Sequence, residues 1–206
     1  MNIEIFVQTS LYFLALINPA SKVFILSSMR PTFSKDELLK VSLKSSFIAL
    51  AILLILSAVG HFILKTIFRV EIYSLAVAGG VVLFIIGLSA VRNGRFYEQS
   101  LQRSTDDISI VPLAAPLIAG PGTITAAISF SSAHGVGITI ISLTAAVIMN
   151  FFIMLSSIWI GKTLERFQVF GPLIRITGLI VAAVAVQMVL TGIQDWLLQT
   201  LQSGKV

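Results

Sequence analysis

Between Ile108 and Gly161 the chain carries no Asp, Glu, Lys or Arg. As one helix that run would be about 80 Å long at ~1.5 Å per residue, far more than the ~30 Å of hydrocarbon in a bilayer. A stretch this apolar offers water no polar face, so it must fold back within a membrane. The turn signal is Ser131-Ser132-Ala133-His134-Gly135, which divides the run into a fourth and a fifth span.

The remainder reads the same way. Ile5 to Met29, broken only by Lys22, Ser45 to Leu64, and Ile72 to Val91 are the first three spans. Ile176 to Gln194, entered through Gly171-Pro172, is the sixth. Of the 206 residues 56% are hydrophobic and 11% charged, against about a quarter charged in a soluble domain. The expected fold is therefore an all-α membrane protein of six transmembrane helices, a single transmembrane domain over residues 1–206. The N-terminal Met-Asn-Ile-Glu-Ile lacks the basic start of a cleaved signal, so the first apolar stretch is expected to remain as a helix.

Positive charge orients the spans. Arg30, Lys35, Lys40 and Lys44 lie in the first connection, Arg92, Arg95 and Arg103 in the third, and Lys162, Arg166 and Arg175 in the fifth. Only Lys65, Arg69 and Lys205 lie in the others. Cytoplasmic loops retain Lys and Arg, so loops one, three and five are expected in the cytoplasm and both termini outside, in a cytoplasmic (inner) membrane. Three spans per half then run in opposite directions, the arrangement of an inverted repeat over 1–103 and 104–206. Asn18-Pro19-Ala20-Ser21 falls opposite Gly120-Pro121-Gly122-Thr123, and Ala78-Gly79-Gly80 can be laid on Thr177-Gly178-Leu179.

Both of the first pair of motifs interrupt a span. Proline within a helix removes a backbone hydrogen bond and costs about 3 kcal/mol in water, and in lipid the freed groups find no solvent. Paired interruptions in corresponding spans, here one and four, point to a transporter's binding site near the midplane. The half-helix after Gly122 is expected to present free N–H groups from Thr123, Ile124 and Thr125, and the half-helix ending near Ile17 and Asn18 to present carbonyls. One end suits a carboxylate and the other an ammonium. Gly120 and Gly122 admit a close approach, Pro19, Ala20 and Pro121 are counted with them as substrate-binding residues at the two breaks, and Asn18, Ser21, Thr123 and Thr125 add polar partners. For each Ser and Thr, packing between helices is the alternative role. Gln187 in span six is either a pocket residue or an interhelical hydrogen-bonding group. Lys22, the one charge well inside a span, is read as snorkelling to the cytoplasmic surface near Met29, with a substrate or gating role as the alternative.

Other classes are argued against. The net charge of +5 is spread over short connections rather than gathered on a face, so nucleic acid is not an expected partner. The chain has no cysteine, which excludes disulfides, iron-sulfur clusters and thiol catalysis. His61 and His134 lie near span ends and read as interfacial. No metal-ligand cluster, Ser-His-Asp set or phosphate loop appears, so neither an enzyme nor a bound cofactor or metal is expected. No acid lies in the middle of a span, so a buried carboxylate relay is not visible.

The chain resembles the MarC (UPF0056-type) family of integral membrane proteins over its whole length. The likeness rests on Ile17-Asn18-Pro19-Ala20, on the specific run from Val111 through Pro112, Pro116 and Gly120 to Ile124, and on Gly178 with Ala185-Val186-Gln187-Met188 in the last helix. It implies a secondary transporter of small neutral amino acids such as glycine and alanine, coupled to a proton or other ion gradient such as sodium. Ser21 and Phe24 stand where the usual Asn-Pro-x-Gly-x-x-Pro motif has Gly and Pro, a departure that bears on the shape of the first break. The expected partners are the bilayer and this solute, with homo-oligomerisation left open. The alternatives are a channel, an exporter of another small polar solute, or a non-transporting assembly protein.

Because the chain has no cysteine, the topology can be read with single introduced ones. Ala133→Cys should react with a membrane-impermeant maleimide in intact cells, and Lys40→Cys only after permeabilisation; the reverse pattern would invert the assigned orientation.

Overall fold

The computed structural model describes residues 3–29, 33–94, 114, 118–166 and 170–203, and among these every regular element is helical. In chain order they are α1 (Ile3–Ile17), α2 (Pro19–Met29), α3 (Lys35–Phe62) running into a π-helical turn at Ile63–Phe68, α4 (Ile72–Asn93), α5 (Pro121–His134), α6 (Val136–Arg166) and α7 (Phe170–Ser203). Among the described residues five segments are long and apolar enough to cross a bilayer: Ile3–Ser27, Lys35–Phe68, Ile72–Asn93, Val136–Ser157 and Gly171–Leu201. The expected span four falls partly outside the described residues, with α5 as its described part.

The helix ends follow from local chemistry. Ser34 and Glu37 form a capping box: the Glu37 amide donates to Ser34 Oγ at 3.3 Å, and the Ser34 amide donates to the Glu37 carboxylate at 2.8 Å. That box starts α3 ten residues before the apolar run begins at Ser45, so the charged first turns carry the helix beyond the hydrocarbon. Gly94, at φ +66°, closes α4 with its amide donating to the Ala90 carbonyl at 2.9 Å. The turn expected at Ser131–Gly135 lies at its last residue, where Gly135 has φ +91° between α5 and α6. At the start of α7, Gly171 and Pro172 lie within the helix rather than before it; proline is tolerated in a first turn because its missing donor has no helical acceptor to lose.

The helices pack with their polar side chains inward. Ser42, Ser45 and Ser57 of α3 and Thr139, Ser142, Asn150 and Ser157 of α6 are buried, whereas Phe47, Ile85, Phe152 and Leu179 are exposed. Lipid, not water, is the solvent for that outer surface, and small polar residues serve the helix contacts. Helix α6 touches α1, α2 and α3, and α5 crosses α3 and α4. The most extensive contact is the antiparallel pairing of α4 with α7. A Cβ built on Gly87 would come within 2.8 Å of the Ala182 backbone nitrogen and 2.9 Å of the Gly178 carbonyl oxygen, and one on Gly80 within 2.8 Å of the Ala185 carbonyl. These are backbone contacts that cannot swing aside, so the glycines set the interhelical distance.

A buried cluster including Phe13, Ile17, Leu53, Leu83, Ile118, Ala119 and Leu143 joins residues flanking Asn18 to residues flanking Gly120. Residues beside both motifs thus share one core.

Gly87→Ala should lower stability by about 1–3 kcal/mol through overpacking. Gly137→Ala, whose added Cβ has nothing within 4 Å, should be neutral or stabilising by up to about 1 kcal/mol through helix propensity. Thermal melts of the two variants in one detergent would check the contrast, and equal effects would count against the packing assigned to α4 and α7.

Candidate functional site

At the first interruption α1 stops at Ile17, Asn18 takes a left-handed conformation with φ +55°, and α2 begins at Pro19. The sequence dictates this locally: proline bars αR for the residue before it, and asparagine tolerates the left-handed region better than most residues. The Asn18 amide still closes α1 by donating to the Leu14 carbonyl at 3.0 Å. The Asn18 carbonyl accepts from both the amide and the hydroxyl of Ser21, at 3.2 and 2.8 Å.

The Lys22 ammonium donates to the carbonyl of Ile17, the last residue of α1. Its side chain is 1% exposed and is the only buried charged side chain among the described residues. The expected snorkelling is therefore corrected. Lys22 turns back to the negative end of α1, where a cation is stabilised by the helix dipole, rather than reaching the cytoplasmic surface. The expectation of open carbonyls at this break is corrected with it, since Ile17 and Asn18 already have donors from the chain itself.

One polar atom at the break has no partner. Asn18 Nδ2 is buried without an acceptor, and such a group ordinarily costs about 1–3 kcal/mol.

At the second motif Gly120 is extended, with φ −87° and ψ 170°, and Pro121 opens α5 with no side-chain cap. The Ile124 amide donates to the Gly120 carbonyl at 2.8 Å, so the expected open set of Thr123, Ile124 and Thr125 is corrected: Ile124 and, further into the helix, Thr125 are used in α5. The first-turn donors without a helical acceptor are the amides of Gly122 and Thr123. Gly120, Gly122, Thr123 and Thr125 are buried, Pro121 and Ile124 partly so. Gly122 packs its backbone on Leu83, and a Cβ there would lie 2.6 Å from Leu83 Cδ2. A Cβ on Gly79 would overlap the Thr125 hydroxyl, so glycine in α4 makes room for that side chain.

Beside the interruptions lies a partly enclosed cavity of about 240 Å³ lined by Tyr12, Ala76, Thr125, Ala126, Ser129, Phe130, Gln187, Met188 and Thr191. Its polar groups are neutral: hydroxyls and one amide. Of the sequence-derived site residues, only Thr125 and Gln187 are brought together here. Asn18, Pro19, Ala20, Ser21, Gly120, Pro121, Gly122, Thr123 and Ile124 do not line it. Gln187 is exposed rather than buried and donates to Thr191 Oγ1 at 3.3 Å. Tyr12 and Thr125 stand six and five residues from Asn18 and Gly120, so the cavity is displaced about 8–9 Å along each helix from its interruption.

The sequence reading missed Tyr12, Ser129, Phe130, Met188 and Thr191. Their signal was i,i+4 spacing: Thr125 with Ser129, and Gln187 with Thr191, each pair on one helix face. The cavity wall continues as an aromatic group, with Phe130 centroids 5.4 Å from Tyr12, 5.6 Å from Phe13 and 5.3 Å from the stacked His134. Two contacts fasten the same end of α5 to α3: Ser131 Oγ donates to the Ser57 carbonyl at 2.6 Å, and His61 Nδ1 lies 2.6 Å from Ser132 Oγ.

A multi-pass helical membrane protein with a neutral polar cavity among its helices is the class that this geometry defines. The MarC family integral membrane protein model matches residues 3–197, and the chain belongs to that family. It is 32% identical to a UPF0056 membrane protein of Pyrococcus horikoshii, covering 90% of this chain and 91% of the relative. It is 31% identical to the UPF0056 membrane protein of Methanocaldococcus jannaschii, covering 96% and 100% of the two chains, and 31% identical to the UPF0056 membrane protein YvbG of Bacillus subtilis, covering 87% and 90%. No solved structure matches the chain.

Asn18→Ala should be about 1–2 kcal/mol less stable than Asn18→Gly, because both lose the buried amide and alanine alone is strained in the left-handed region. Asn18→Gly, free of that strain and of the buried amide, should hold or exceed the parent stability. Chemical or thermal unfolding of the two variants would check the order; alanine matching glycine would contradict the assigned backbone conformation.

Proposed function

We propose that the chain is a secondary transporter of small neutral amino acids, glycine and alanine first, in the cytoplasmic membrane with both termini outside. It is built from two inverted three-helix repeats, 1–103 and 104–206, with the first span of each discontinuous. Rocking of one repeat against the other exposes the site to each side in turn. The chain acts without catalysis and without a cofactor, and a proton or sodium gradient drives it.

The observation that carries this reading is the unpartnered Asn18 amide, buried at one interruption, together with an uncapped helix start at the other. A carboxylate would satisfy the Asn18 amide and the Gly122 and Thr123 N–H groups without a fixed charge at α5. The hydroxyls of Thr125, Ser129 and Thr191 with the Gln187 carbonyl line the neutral cavity further along the helices, through which the solute would approach those donors. Ala126, Phe130 and Met188 leave room for a methyl side chain and little for a charged one.

The helix contacts fit two related halves. Helix α4 pairs with α7, α3 with α6, and the broken first span lies on α6 as α5 lies on α3. In this orientation the cavity opens toward the outside, on the side where α1 begins and α5 ends.

Purified protein should melt higher in millimolar glycine or alanine by mass action, with a smaller shift for serine and none for leucine. Asn18→Gly should keep its fold and lose the shift. Counterflow of labelled glycine in proteoliposomes should follow the same order. A flux that does not saturate would point to a channel instead, and no thermal shift together with no counterflow would overturn the reading.

A further inference from the structure

Interrupted helices in membrane carriers use the carbonyl end of a half-helix to coordinate a small cation. In this chain that end is occupied from within. The Lys22 ammonium donates to Ile17 O, five residues back across the interruption, and the whole side chain is buried. A primary ammonium offers the same charge as a monovalent metal ion, with three donors in place of a coordination shell. Ser21 takes the next carbonyl, that of Asn18, so the turn is closed by side chains that follow it directly in sequence.

We propose that Lys22 is a tethered cation: its ammonium fills, at the C-terminal end of α1, the position a dissociable alkali cation would otherwise take. Lys22 is thus a positioning residue for the first interruption. It fixes the Ile17 carbonyl, and with it the direction of the Asn18 amide one residue on. The proposal deepens the carrier reading and rests on it for the link to coupling: sodium does not bind at this break, so a sodium-driven carrier would have to hold its ion elsewhere. Occupancy of the carbonyl end is a separate matter that stability alone reads.

The dipole and the tether account for why a burial this costly persists. A charge in the bilayer interior is expensive unless it is paired, and the α1 end supplies the negative partner. Removing the ammonium while keeping the volume leaves a carbonyl end in need of a cation, which an ion from solution can meet.

The test compares wild type, Lys22→Met and Lys22→Arg in detergent, with sodium or potassium chloride exchanged for N-methylglucamine chloride at constant ionic strength. Wild type and Lys22→Arg should melt at the same temperature in all three salts. Lys22→Met should melt lower in N-methylglucamine and rise by about 3–6 °C per tenfold increase in sodium or potassium beyond half-saturation. A smaller variant, Lys22→Ala, should be restored by a primary alkylammonium ion and not by N-methylglucamine, which keeps the test open if Lys22→Met does not fold. The proposal falls if wild type itself shows saturable stabilisation by sodium, or if neither uncharged variant responds to any cation. The glycine shift, measured alongside, separates the two readings: cation behaviour as expected with no glycine shift in wild type would sink the carrier and leave the tether standing.

Discussion

Every backbone amide and carbonyl within lipid needs a partner from the chain, because no water is present to supply one. An uninterrupted helix meets that requirement by itself. This chain departs from it at Asn18 and at Gly120, and the surrounding structure is arranged around those departures. The Ile17 and Asn18 carbonyls are answered by Lys22 and Ser21. Leucine, phenylalanine and alanine from several helices then close over both places in one buried cluster. What the chain leaves unanswered is a small set of donors.

The two kinds of helix pairing do different work. Helices α4 and α7 approach closely through glycines whose missing Cβ atoms would meet backbone, which fixes the distance between the two. Helix α5 is short, starts at a glycine and a proline without a side-chain cap, and is fastened to α3 at its far end by the serine and histidine contacts.

Much of this was legible in the sequence, and the limits have physical causes. The spans follow from charge-free runs, the interruptions from proline, and the α5 to α6 turn from Gly135. Helix α3 starts earlier than hydropathy implies because its capping box lies among charged residues that a reading for apolar runs passes over. Lys22 could not be placed from spacing, since a flexible four-carbon stem reaches either the surface or a carbonyl, and packing around α2 decides which. The cavity draws its wall from α1, α4, α5 and α7, so only the fold assembles it. Serine and threonine at i,i+4 hinted at a shared face without saying what they would face.

The conformation of Asn18 bears also on how the protein ages. Asparagine in an open turn commonly loses its amide when the next residue's backbone nitrogen attacks the side-chain carbonyl and closes a ring. Proline at the next position has no N–H to give up, so that cyclisation is blocked at Asn18-Pro19. The same pairing that breaks the helix therefore protects the buried amide beside it from this route of chemical decay.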